Sequence, residues 1–207
     1  MGVPVIKRGH IFTYKEYCSW PEDERWELIN GEAYDMSPAP SSRHQAISTQ
    51  LLVAISLFLK SQSCKVFSAP FDVMLPDFPI ENKNSIDTII QPDISVICDS
   101  KKIIERGCLG APDLIVEILS PSTSKKDLNE KFQLYEKHGV KEYWIVDPGN
   151  RYIRVFHLIL DSTKFGKYDD GILTPPANWQ EKNFIAKSVL LNGFKVNVKE
   201  LFDSLET

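Results

Sequence analysis

Residues 112–139 read PDLIVEILSPSTSKKDLNEKFQLYEKHG, and the fold turns on how this stretch is parsed. Its first half, DLIVEILS, is almost continuously apolar, as expected of a strand covered on both faces. Its second half has the spacing of an amphipathic helix that starts at Ser124 or Asp127 and stops at Gly139, a residue suited to a left-handed C-terminal cap. Another strand pattern, EYWIVDP, follows. Strand, helix and strand in this order predict an α/β unit. Two charges interrupt the apolar pattern. Side chains alternate across a strand, so Glu117 shares a face with Ile115 and Leu119. On a helical projection Lys131 falls inside the apolar arc, with Leu134 on one side and Leu128, Phe132 and Tyr135 on the other. Asp127, one turn earlier, can pair with it, whereas Lys125, Lys126 and Lys137 read as surface. A buried carboxylate is costly unless a cation pairs with it or it coordinates one.

Upstream, Asp93 opens the strand DISVIC and shares a face with Ser95 and Ile97. Carboxylates of Asp93 and Glu117 at corresponding levels of adjacent strands would form an all-oxygen site of the kind Mg²⁺ takes, with water and phosphate completing the shell. SSRHQAISTQLLVAISLFLKSQ predicts a helix capped by Ser41 or Ser42. Ile47, Leu51, Ile55, Phe58 and Leu59 line its apolar face, and His44 stands at the N-terminal end of that face. Thr13 and Glu16 fit a capping box for a short helix. RWELINGEAYDMSP reads as a hairpin turning at Asn30-Gly31, with Glu27 expected half-exposed between Trp26 and Leu28 and the sheet broken by Pro38 and Pro40. CKVFS and FDVML are expected to pair as strands, and residues 77–90, with Pro79, to form a polar loop. RYIRVFHLIL follows EYWIVDP across a Pro148-Gly149-Asn150 turn. The chain then closes with a short strand, a turn at Asn192-Gly193 and a helix.

The whole chain, residues 1–207, reads as one α/β domain: a mixed sheet flanked by helices, preceded by an N-terminal helix and hairpin. Hydrophobic residues make up 43% and charged residues 25%, an ordinary globular balance. A net charge of -4 argues against coating nucleic acid by electrostatics alone, but not against local contact with DNA through a metal ion. Cys18, Cys64, Cys98 and Cys108 lack zinc-like spacing and are expected as reduced, packed thiols. No signal-peptide pattern opens the sequence, and its longest apolar run is too short for a bilayer, so a cytoplasmic protein away from membranes is expected.

The order of these pieces resembles the PD-(D/E)XK nuclease superfamily. It is QPD before a strand, PDLIVEILSPST, then a helix carrying Asp127 and Lys131. More closely, the chain resembles the Uma-two family, common in cyanobacteria and described as putative restriction endonucleases. The ELINGE hairpin (residues 27–32), SPAPSSRHQ (residues 37–45) before a long helix, and EYWIVDP carry that likeness, over roughly residues 13–156. The resemblance implies a restriction-endonuclease-like fold with an αβββαβ core and Mg²⁺-dependent hydrolysis of DNA phosphodiesters, with Mn²⁺ able to substitute. It implies Asp93 as the first acid and Glu117 as the second, both metal ligands. One position departs from the pattern: the lysine belongs two residues after the second acid, where this chain has Leu119. Members of the superfamily can carry that lysine on the neighbouring helix, and Lys131 is there. Glu27 and His44 would complete the site from the other side. A homodimer would suit cleavage of both strands of a duplex.

Each residue also has a plain structural role open to it. Glu117 and Lys131 could be a buried salt bridge, Asp93 a strand-end cap and His44 a hydrogen-bonded core histidine. The competing function is therefore a catalytically inactive nuclease-fold module that binds or assembles. Serine hydrolysis from Ser120 or Ser122 lacks a glycine elbow, and turn or cap roles account for both. Lys101, Lys102, Arg106, Lys125 and Lys126 are the candidates for phosphate contact.

Overall fold

The structure, a computed structural model, describes residues 6–7, 9–21, 23–36, 39–77, 82–160, 166–174 and 184–203. The expectations placed on Ser37, Pro38 and Pro79 lie outside the described residues. The described chain opens with β1 (Ile6–Lys7) and α1 (Tyr14–Tyr17), whose capping box joins Thr13 to Glu16 as expected. β2 (Trp26–Ile29) and β3 (Glu32–Asp35) form the hairpin, and Asn30 and Gly31 take φ of 50° and 77°, the positive values that such a two-residue turn demands. α2 (Ser42–Leu59) starts where the Ser41 side chain accepts the His44 amide. Ile47, Leu51, Ile55 and Leu59, one turn apart, are its buried stripe.

β4 (Lys65–Ser68) and β5 (Asp72–Met74) correct an expectation, because they do not pair. β4 lies beside β7 (Ile94–Ile97) in the central sheet, whereas β5 lies between β6 (Ile89–Ile90) and β9 (Gly107–Leu109) in a second sheet. Apolar pattern marks a strand but does not name its neighbour. The polar stretch at 77–90 is also more ordered than expected: Lys83–Ser85 form a 3-10 turn, and Ile89 and Ile90 of β6 are fully buried. β8 (Ile103–Ile104) completes the second sheet, in the order β1-β3-β2-β6-β5-β9-β8.

β10 (Leu114–Ile118) leads into a helix of three parts: α3 (Ser124–Lys126), a π turn (Asp127–Lys131) and α4 (Phe132–His138). Gly139, at φ 82°, ends it in the left-handed cap anticipated there. β11 (Glu142–Asp147) runs parallel to β10, which needs such a crossover. β12 (Tyr152–Leu160) returns antiparallel and takes β13 (Gly166–Tyr168) and β14 (Ile172–Thr174) at its edge. β15 (Ile185–Lys187), β16 (Lys195–Asn197) and α5 (Val198–Asp203) close the described chain. The central sheet has the order β13-β12-β11-β10-β7-β4. With the second sheet set aside, α2, β4, β7, β10, helix and β11 follow in αβββαβ order. The fold is a mixed α/β sheet system flanked by helices.

One core fills the face between the central sheet and α2 with α5, where Leu51 and Phe202 meet Val116 and Trp144. A second core lies on the opposite face, where Leu134 and Tyr135 of α4 pack with Ile115, Leu119 and Tyr143, and with Val73 and Ile90 of the second sheet. Burying each such side chain is worth about 1.5–3 kcal/mol. The cysteine expectation is corrected in part: Cys64 and Cys98 form a disulfide with Cα atoms 3.9 Å apart, because the Lys65–Ile97 register sets them opposite one another. Cys18 and Cys108 are free. Among the described residues, no helix is long and apolar enough to cross a membrane.

Candidate active site

A pocket of about 320 Å³ opens where the two sheets meet the N-terminal ends of α2 and the crossover helix. Glu27, His44, Asp93, Glu117 and Lys131 all line it. Register explains the acid pair. Ile94 faces Val116 across the antiparallel β7–β10 ladder, so the next step sets Asp93 beside Glu117. The Asp93 amide donates to Glu117 Oε2 at 3.4 Å, and the Ile118 amide donates to Asp93 Oδ2 at 2.7 Å. His44 Nε2 stands 3.1 Å from the same Asp93 oxygen, so the first turn of α2 reaches over the end of β7. Burial works against a charge on His44, but the hydrogen bond and charge of Asp93, with Glu117 behind it, raise its pKa overall.

Lys131 is the hub of the buried half. Its Nζ is 2.8 Å from Glu27, 2.9 Å from Glu117 and 3.7 Å from Asp127. Tyr135, one turn further on, donates to Glu117 Oε1 at 2.5 Å. Burial pushes the Glu117 carboxyl up to about 8, against the pull of Lys131 and with repulsion from Asp127, Asp93 and Glu27. Glu27 goes the other way. Burial alone would raise it, but the ammonium groups of Lys131 and Lys126 hold it at about 2. Burial lowers the stability of the Lys131 charge, yet its three carboxylate neighbours raise its pKa well above the ordinary value.

The family model described as "Uma2: Putative restriction endonuclease" matches residues 14–185. The chain belongs to the Uma2 family. Two Synechocystis sp. proteins resemble it. "Uncharacterized protein slr1290" is 28% identical over 160 residues, covering 76% of this chain and 75% of that one. "Uncharacterized protein sll1609" is 25% identical over 148 residues, covering 69% and 78%. The crystal structure of a "putative nuclease belonging to DUF820" from Anabaena variabilis matches with a TM-score of 0.69 at 22% identity, over 93% of this chain and 98% of that chain. That likeness shows the fold.

Several residues of this Uma2 site differ from their sequence reading. Glu27 is fully buried rather than half-exposed, because β2 lies between β3 and β6 and two lysines offset its charge. Lys126 is not a surface lysine: it donates to Glu27 Oε2 at 2.6 Å and lies 5.1 Å from the centre of the Tyr34 ring. Leu128 leaves the apolar arc and is 43% exposed. The π turn accounts for both shifts, because the projection that placed them assumed an unbroken α-helix. Gln91 was missed outright. Its amide donates to Glu27 Oε1 at 3.0 Å, and its side chain is held by Arg25, Tyr17 and Asp72. The QPD triplet before β7 was its one signal. Lys125 and Lys126 line the pocket, whereas Lys101, Lys102 and Arg106 lie outside its lining, beside β8 at the edge of the second sheet. Ser120 has a turn role, accepting the Thr123 amide at 3.2 Å. Leu119, at the usual lysine position, packs in the apolar core below.

A hard divalent cation fits the donor set. The acids Glu27, Asp93, Glu117 and Asp127 outnumber Lys126 and Lys131, and Asp127 Oδ1 is buried without a hydrogen-bond partner among the described residues. Among those residues, no three His, Cys, Asp or Glu side chains form a metal-ligand set. A two-carboxylate site suits Mg²⁺, which keeps water and phosphate oxygens in its shell, better than Zn²⁺, which asks for more protein ligands.

Proposed function

We propose that this Uma2 chain is a metal-dependent endonuclease that hydrolyses DNA phosphodiester bonds, with Asp93 and Glu117 as the ligands of Mg²⁺ or Mn²⁺. The observation that carries this reading is the acid pair at adjacent strand ends, opening into a pocket, with Lys131 behind it. Bound there, the metal would supply Lewis-acid chemistry, drawing charge from the phosphodiester and making water more acidic. Lys131 holds Glu27 and Glu117 in place through short ion pairs. Tyr135 fixes the Glu117 rotamer from below. His44 orients Asp93 and, with its raised pKa, can hold a proton near a departing alkoxide. Family membership and the nuclease-like fold of the structural neighbour support the reading.

A second reading has two observations behind it. Leu119 occupies the usual lysine position and Lys131 is closed in by carboxylates, as in a module that has kept the cluster and lost the reaction. Cleavage of single-stranded and duplex DNA with Mg²⁺ or Mn²⁺, alongside calorimetric titration of each metal, separates the two. The nuclease reading expects wild-type cleavage that stops with a chelator. It also expects a loss of at least about 100-fold in Asp93→Asn and Glu117→Gln, since removing a metal's charge stabilisation costs several kcal/mol. A wild type that binds neither metal, with or without DNA, and cuts nothing would leave the inactive module standing.

A further inference from the structure

Lys126 and Lys131 both touch Glu27, one on each carboxylate oxygen, yet they meet the pocket differently. An ammonium group has three donors. Those of Lys131 face Glu27, Glu117 and Asp127, and its side chain is 4% exposed. Two of these are short contacts, to Glu27 and Glu117, the third points at a carboxylate 3.7 Å away, and three acids enclose the charge away from solvent. Lys126 has one carboxylate partner among the described residues, and its side chain is 17% exposed. The Tyr34 ring backs it, and Lys125 and Arg25 stand on the same pocket wall and mouth. Two donors of Lys126 therefore remain for oxygens entering the pocket.

The π turn makes this arrangement possible. Residues five apart on an α-helix point about 140° away from each other. An i→i+5 turn brings them to the same side. Lys126 and Lys131 are five apart, one just before the turn Asp127–Lys131 and one at its end, so both reach Glu27.

Resting on the nuclease reading, we propose that Lys126 is the substrate-binding cation of the site, its ammonium meeting the non-bridging oxygens of the scissile phosphodiester, while Lys131 is a positioning residue. The sequence motif that assigns the lysine role to Lys131 would then mark the wrong one of the pair. Glu27 serves both: it anchors Lys131 in the core and holds Lys126 at the mouth.

The test compares wild type with Lys126→Gln, which can still donate to Glu27 but carries no charge, and Lys126→Arg, which keeps the charge. Cleavage kinetics are measured with Mg²⁺ on the DNA form that wild type cuts. Binding is measured with Ca²⁺ replacing Mg²⁺, on a mixed-sequence oligonucleotide over a range of salt, and melting curves control for folding. The expectation is that Lys126→Gln raises KM and lowers kcat/KM about tenfold or more, and flattens the salt dependence of DNA binding by about one charge, with a cooperative melt that is lower than wild type because Glu27 keeps only Lys131 as its cation. Lys126→Arg should restore the salt slope. A Lys126→Gln variant that cuts and binds as wild type does, when wild type is active, overturns this assignment alone. A wild type that neither cuts nor binds DNA overturns the nuclease reading, and this assignment with it.

Discussion

Lys131 Nζ stands 2.8 Å from Glu27 and 2.9 Å from Glu117, yet these two carboxyls respond to pH in opposite senses. Glu117 is raised from 4.5 to about 8 because burial and three neighbouring acids outweigh one lysine. A raised acid stabilises the fold while it is protonated. That contribution is complete below the unfolded pKa and is lost as pH climbs through the folded value. Glu27 is lowered to about 2 by two lysines on its two oxygens. Its contribution is present above 4.5 and is lost as pH falls towards 2. Glu117→Gln should therefore melt above wild type in chelator-treated buffer, with a margin that widens from about pH 5 to about pH 9. Glu27→Gln should melt below wild type at neutral pH, with a deficit that narrows as the solution is acidified. Thermal melts of the three proteins from about pH 2 to about pH 9 check both slopes, Glu27 below about pH 5 and Glu117 above it, and parallel curves would contradict the charge arrangement around Lys131.

The crossover helix shows how one irregular turn decides which side chains meet. Its π segment carries Asp127 and Lys131 inward and leaves Asn129 exposed. Deleting Asn129 would shorten the Lys126–Lys131 spacing to four residues, and an ordinary α-helix brings residues four apart to one face. The deletion should hold both lysines at Glu27 and stay within about 1 kcal/mol of wild type in denaturant unfolding. Inserting alanine after Asn129 should cost about 3 kcal/mol or more, because it turns Lys131 away from Glu27, the buried carboxylate that stays ionised. The same turn marks a boundary of what the sequence discloses. Asn30-Gly31, Ser41 and Gly139 were readable because each acts through its own backbone. Glu117 and Lys131 were readable because strand and helix periods expose a charge on an apolar face. Lys126 was misplaced because nothing in TSKKDLNEK announces an i→i+5 turn. Gln91 and the β4–β7 pairing depend on contacts far away in the chain, which local pattern does not encode.

At the scale of the whole molecule, charge limits how the proposed nuclease could hold DNA. The chain carries a net charge of -4, so its surface as a whole does not attract a polyanion. The cations that line the pocket and are not enclosed by acids are Arg25, Lys125 and Lys126. Each phosphate neutralised on a duplex contributes about 0.9 to the salt slope, so contact through this wall alone gives a slope of about -2.7. Affinity for duplex DNA should then fall roughly 40-fold between about 50 mM and 200 mM salt, far less than for proteins that grip six or more phosphates. Such weak electrostatics would leave much of the binding to the divalent ion that Asp93 and Glu117 are proposed to hold. Removing the divalent ion should therefore weaken binding far more than added salt does. Fluorescence anisotropy with a labelled duplex, over a salt series with and without Ca²⁺, measures both effects. A slope near -6 would mean that the track extends beyond the pocket. Lys101, Lys102 and Arg106, beside β8 at the edge of the second sheet, would then be the first residues to neutralise, and a slope near -3 that ignores their removal would confine recognition to the pocket.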